Sequence, residues 1–158
     1  MVTIALDAMG SDHGVDATVG GAAELSFDKH CPQLILVGNE SEIRRALGET
    51  RHDPARIDVV HAAEVVGMDD SPKRALQEKK DASIVVATQL VKDRGADALV
   101  SAGNTGAVTL ACSRSFRRLD GVARCALGAV YPTERRRGEK DDPFSLILDA
   151  GLTLDVSG

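Results

Sequence analysis

The stretch from Ala96 to Leu119 constrains the fold more than any other part of the chain. Ala96-Asp97-Ala98-Leu99-Val100 is an apolar run of strand length, followed at once by Ser101-Ala102-Gly103-Asn104-Thr105-Gly106. Beyond that turn, Val108, Ala111, Cys112, Ser115, Phe116 and Leu119 recur at spacings of three and four, which sets one helix face on a core. Strand, glycine turn and helix in that order predict an α/β fold. The two glycines let the backbone turn sharply and let a ligand come close. The first amides of the helix lack internal partners and point back at the turn, where the helix dipole favours negative charge. Ser101, Asn104 and Thr105 add side-chain donors. Ser101, Gly103, Asn104, Thr105 and Gly106 are therefore a candidate phosphate site; a plain strand-to-helix turn is the alternative. The pattern is neither a Walker A loop, since no Gly-Lys-Ser/Thr follows, nor the Gly-x-Gly-x-x-Gly fingerprint.

The rest of the chain alternates in the same way. Val2 to Leu6 reads as a strand ending at Asp7, followed by the loop Ala8-Met9-Gly10-Ser11-Asp12-His13-Gly14. A small-residue helix is expected from about Asp16 to Lys29, with Gly20-Gly21 permitting close packing. Leu34 to Val37 and Ile57 to Val60 read as strands. Between them a helix starts at Asn39, with Glu42 in a capping-box position, and ends near Gly48. Ser71-Pro72 predicts the start of one long helix running to about Lys92. After Gly121 the pattern changes: Ala126 to Tyr131 and Ser145 to Leu148 read as an antiparallel hairpin around a long charged loop with Arg135-Arg136-Arg137. Together these elements predict a single α/β domain over 1–158, a three-layer sandwich whose mixed, mostly parallel sheet carries helices on both faces.

Composition narrows the function classes. With 158 residues the chain suits one domain. Aromatics make up 3% of it and Trp is absent, which argues against stacking on nucleic-acid bases. A formal net charge of −5 argues against a duplex-binding surface, so no nucleic-acid partner is expected. No apolar run approaches membrane-spanning length, and the first residues lack the basic flank and cleavage site of a signal peptide. The three cysteines are scattered and read as reduced thiols. No metal-ligand spacing stands out, so no metal or cofactor is expected. Asp7 and His13 follow the first strand and Ser101–Gly106 the fourth, so their loops can share one crevice at the carboxyl edge of the sheet. Asp7 also reads as a strand-end turn residue, and His13 as a solvated loop histidine. Lys79-Lys80 reads as an anion contact or as a solvated helix face. Arg135 to Arg137 reads as a binding cluster or as a solvated loop.

Three segments in this order carry a resemblance. Ala5-Leu6-Asp7-Ala8-Met9-Gly10-Ser11-Asp12-His13-Gly14 resembles the opening signature of the bacterial phosphate acyltransferases known as PlsX, where a second glycine usually stands at the place of Ser11. Met68-Asp69-Asp70-Ser71-Pro72, with Ala75-Leu76 and Lys79-Lys80-Asp81-Ala82-Ser83, is similar to that family's middle motif. Val100 to Ala107 is similar to its most distinctive segment. Asp149-Ala150-Gly151-Leu152-Thr153 departs from the family's Asp-Val-Gly-Ala-Asn. The matches cover nearly the whole chain and correspond to the N-terminal half of a family member.

The resemblance implies a fold like that of the phosphotransacetylases and the isocitrate dehydrogenase group. It implies an enzyme that converts acyl-[acyl carrier protein] and inorganic phosphate to acyl-phosphate in phospholipid synthesis. Asp7, His13 and Asn104 are then the expected catalytic residues, and Gly10 joins the phosphate-binding set. It further implies acyl carrier protein as partner, delivery of acyl-phosphate to a membrane glycerol-3-phosphate acyltransferase, a homodimer, and a cytoplasmic location. Peripheral membrane contact would come only through the second half of a full-length member. A non-catalytic phosphate- or carrier-binding module and an acyltransferase of the phosphotransacetylase type are the alternatives.

Overall fold

The computed structural model describes residues 1–122, 124–137 and 142–149. It forms two compact units, Met1–Arg117 and Arg118–Gly158.

In the first unit, β1 (Thr3–Asp7), β2 (Gln33–Gly38), β3 (Ile57–His61) and β4 (Ala98–Ser101) make one sheet in the order β3-β2-β1-β4. All three pairings are parallel. Successive side chains on a strand point to opposite faces, and both faces are apolar. Leu34, Leu36 and Ile57 join Val15, Val19, Ile43 and Leu47 of α1 (Gly14–Leu25) and α2 (Glu40–Gly48) in one core. Ala5 and Val37 face the other way and pack with Ala87 of α4 (Ser83–Lys92). α3 (Pro72–Glu78), α4 and α5 (Thr105–Ser115) close a third cluster around Leu76, Ile84, Ala107 and Ala111. The unit is the expected three-layer α/β sandwich.

Local structure follows from identifiable residues. Asn39 caps α2, its Oδ1 accepting from the amides of Ser41 and Glu42 at 3.1 and 3.3 Å. The Glu40 amide donates instead to His61 Nδ1 at 3.3 Å. α1 stops at Leu25 rather than Lys29 because the chain tightens into turns, with Asp28 N donating to the Leu25 carbonyl. Buried Ser26 holds that exit, its hydroxyl donating to the Ala23 carbonyl and accepting from Asp53 N. The Gly20-Gly21 pair does not serve close packing: a Cβ on either would meet nothing within 4 Å.

The single helix expected from Pro72 to Lys92 is two helices. The chain leaves helical geometry at Lys79 (φ −96°, ψ 82°) and re-enters at Ser83. The cause is a competing set of hydrogen bonds to Ala63 and Glu64. Ala63 N donates to Asp81 Oδ2 (2.9 Å), Asp81 N to Glu64 Oε2 (2.9 Å), Glu64 N to the Asp81 carbonyl (3.1 Å) and Ser83 N to the Glu64 carbonyl (2.9 Å). Ser71 stands at the N-cap position, though its hydroxyl makes no capping bond. α5 ends at Ser115, and Leu119, expected on its apolar face, is exposed.

The second unit holds β5 (Gly128–Arg137) and β6 (Asp142–Leu148), antiparallel as expected. Both strands run further into the charged segment than the sequence suggested, with Arg137 opposite Asp142 and a register shift between Pro132 and Arg137. They form a two-stranded sheet of their own. Of the segment Asp149–Thr153, all but Asp149 lies outside the described residues.

Candidate functional site

The strand order creates the site. From β1 the chain steps outward to β2 and β3, then crosses back to place β4 on the other flank of β1. The loops after β1 and β4 therefore leave adjacent strands towards different neighbours. Open α/β sheets bind ligands in the gap at such a reversal, beyond the carboxyl strand ends. Asp7 and Ser101, the last residues of the two strands, are register partners.

Two contacts lock these loops together, the bond from Ser101 to Asp7 and the approach of Gly10 to Gly103. The Ser101 hydroxyl donates to Asp7 Oδ2 at 2.8 Å, and Asp7 Oδ1 accepts from Met9 N at 3.3 Å. Asp7 is only 3% exposed, so these bonds offset the cost of taking a carboxylate out of water. The Ser101 oxygen also accepts from Gly103 N at 3.1 Å. Backbone meets backbone at Gly10 and Gly103. A Cβ on Gly10 would lie 3.0 Å from Gly103 Cα and 3.2 Å from Asp7 Oδ2; one on Gly103 would lie 3.2 Å from Gly10 Cα. Glycine is needed at both places to let the loops touch.

A third segment, 67–72, closes over the start of α5. Asn104 Nδ2 donates to the carbonyls of Gly67, Met68 and Asp70 at 3.2, 3.0 and 3.1 Å. Its Oδ1 caps α5 by accepting from Ala107 N at 3.0 Å, while the Asn104 carbonyl accepts from Val108 N. Pro72 packs against Gly106 so closely that a Cβ there would lie 2.6 Å from Pro72 Cγ. Asp70 Oδ2 accepts from Gly67 N (2.9 Å) and from Lys79 Nζ (2.6 Å), and Lys79 donates also to the Val65 carbonyl (2.7 Å). The hydrogen bond from Lys79 foremost, then that from the Gly67 amide, holds the Asp70 carboxyl below the usual carboxylate range.

The expected phosphate donors thus divide. The Ser101 hydroxyl, the Gly103 amide and the Asn104 side chain are engaged within the fold. Thr105 and Gly106 supply the first amides of α5, which pair with no carbonyl among the described residues, and the Thr105 side chain is exposed. Gly10 is buried at the seam of the two loops. His13 is exposed at the N-cap of α1, its amide donating to Ser11 Oγ. Lys80 donates to the Leu76 carbonyl at the end of α3. No cluster of ligating side chains suited to a metal ion occurs among the described residues. The sequence marked Met68–Ser71 and Lys79 separately. It did not reveal that Asp70 and Lys79 pair, because the pairing depends on the break after α3.

Comparison with known proteins bears on what this site belongs to. A family model described as "Fatty acid synthesis protein" matches residues 2–158. This chain belongs to that family. Among its relatives, a phosphate acyltransferase of Heliobacterium modesticaldum is 48% identical over 154 residues, which are 97% of this chain and 44% of the relative. Phosphate acyltransferases of Neisseria meningitidis and Acetivibrio thermocellus are 39% and 37% identical, covering 99% and 94% of this chain. The chain spans less than half the length of these curated relatives, 42–44%. Family membership covers the described crevice entirely, since all three segments lie within the matched residues.

Proposed function

We propose that this chain is the phosphate-holding part of a phosphate acyltransferase, which joins the acyl group of acyl carrier protein to inorganic phosphate. The observation that carries the reading is the crevice at the sheet reversal. There the half-buried bond from Ser101 to Asp7 and the Gly10–Gly103 contact fix a turn that leads into the Thr105 and Gly106 amides of α5, which are free to bind an anion. The names of the relatives support acyl transfer to phosphate, and acyl carrier protein as the donor is part of the proposal.

In this reading a phosphate oxygen attacks the thioester carbonyl carbon, the carbon–sulfur bond breaks, and the pantetheine sulfur leaves with a proton. The nucleophile is already anionic, so the chain's main tasks are to hold it and to align it. The amides of Thr105 and Gly106 and the Thr105 hydroxyl hold phosphate. Asp7 fixes Ser101, which in turn orients Gly103, and Gly10 lets the loops close. Asn104 fixes the turn through its three carbonyl contacts. His13, exposed on the neighbouring loop, is the proposed proton source for the leaving sulfur. The reading also takes in a homodimer, a cytoplasmic enzyme with peripheral membrane contact, and transfer of acyl-phosphate to a membrane glycerol-3-phosphate acyltransferase. No helix among the described residues is long and apolar enough to cross a membrane.

The test is to incubate the chain with acyl-[acyl carrier protein] with and without inorganic phosphate and to trap acyl-phosphate as its hydroxamate. Phosphate-dependent hydroxamate that falls in Thr105→Val and His13→Ala supports the reading. Saturable phosphate binding without any product would leave a binding module, and absence of both would overturn the reading.

A further inference from the structure

We infer that Lys79 is a positioning residue for the Thr105–Gly106 turn, acting through Asp70 and Asn104; the inference rests on reading that turn as a phosphate site. The chain of contacts is continuous. Lys79 sits where the backbone departs from α3, and the four hydrogen bonds that join Ala63 and Glu64 to Asp81 and Ser83 fix that departure from the far side. Its side chain is 32% exposed, and its ammonium is turned back onto the Val65 carbonyl and Asp70 rather than into water. Asp70 closes the 67–70 turn twice, accepting from Gly67 N through Oδ2 and donating its own amide to the Gly67 carbonyl at 3.2 Å.

The carbonyls of that turn converge on one amide group. Asn104 Nδ2 has two hydrogens and three carbonyl oxygens within 3.2 Å. An amide held on that side cannot rotate, so its oxygen stays on the Ala107 amide and α5 keeps its cap. The cap decides where the Thr105 and Gly106 amides point. Removing the Lys79 charge frees Asp70, loosens the carbonyl cradle and lets the Asn104 amide turn. Misplacing aligned groups by about 1 Å is enough to cost roughly 100-fold in rate in favourable cases, so a small loosening is measurable.

The experiment compares wild type, Lys79→Met, Lys79→Arg and Asp70→Asn in this chain. Without ligand, hydrogen exchange of the Ala107 amide and of the Asn104 side-chain amide is read by NMR. Inorganic phosphate is then titrated calorimetrically. Lys79→Met is expected to speed exchange at both groups and to weaken phosphate binding by about tenfold, a modest share of what misalignment can cost. Lys79→Arg is expected to restore most of both, and Asp70→Asn to weaken binding as well. A folded Lys79→Met with unchanged exchange and affinity overturns the inference. So does a gain in phosphate affinity in Asp70→Asn, which would mean that the freed lysine contacts the anion itself. Should Lys79→Met not fold, Asp70→Asn and Lys79→Arg carry the same two readouts. If wild type binds no phosphate, the reading of the turn fails, while the exchange data still decide whether Lys79 positions Asn104.

Discussion

At the residue scale, Asp7 and Ser101 carry the crevice. Asp7 is buried and accepts only from Met9 N and the Ser101 hydroxyl among its described hydrogen bonds. Ser101→Ala removes that donor and also leaves the Gly103 amide without its acceptor. Leaving buried polar groups unpaired costs about 1–3 kcal/mol each, so Ser101→Ala is expected to lower stability in urea denaturation by that order. A variant within about 0.5 kcal/mol of wild type, the range of ordinary surface changes, would show that the bond is dispensable. Asp70 gives a second residue-scale prediction, in pH. Its carboxyl is held below the usual carboxylate range by Lys79 and then by the Gly67 amide. Its folded pKa therefore lies below its unfolded one. The stability it contributes is present above the unfolded value, about 3.9, and is lost as pH falls through the folded one. Denaturation followed from pH 7 down to pH 2 should show this loss in wild type and not in Asp70→Asn. Identical acid profiles for the two would contradict it.

At the scale of elements, most of the first unit was legible. Apolar runs bounded by glycine and proline set β1 to β4, because a sheet covered on both faces demands apolar side chains at nearly every position. Asn39 was readable as a cap, and Asn39→Ala is expected to cost about 1 kcal/mol in thermal or urea unfolding. No measurable change would mean that the His61 contact to Glu40 N suffices to start α2. What the sequence hid depends on partners far along the chain. The pattern from Pro72 to Lys92 is helical throughout, yet Glu64 and Asp81 break it by bonding each other's backbone. Asn104 read as a donor for a ligand, but which way its amide faces is decided by residues 67–70, more than thirty positions earlier. The glycines divide in the same way. Gly10, Gly103 and Gly106 owe their identity to close approach, whereas Gly20 and Gly21 face open space.

At the scale of the whole molecule, apolar surface stands open in both units. In the first, Leu25 of α1 and Val100 of β4 are exposed; in the hairpin, Val130, Tyr131, Phe144, Leu146 and Leu148 are each more than half exposed. Exposed apolar patches of this kind drive association. The chain is expected to self-associate with rising concentration in sedimentation equilibrium, and a single monomeric mass across the range would contradict that. Phosphate binding in the crevice at the sheet reversal is tested most directly by an NMR titration of the isotope-labelled chain with inorganic phosphate. Saturable shifts are expected, centred on the backbone amides of Thr105 and Gly106, with smaller ones in residues 7–14. Shifts confined to other parts of the chain, or none up to concentrations at which phosphate binds weak sites non-specifically, would contradict it.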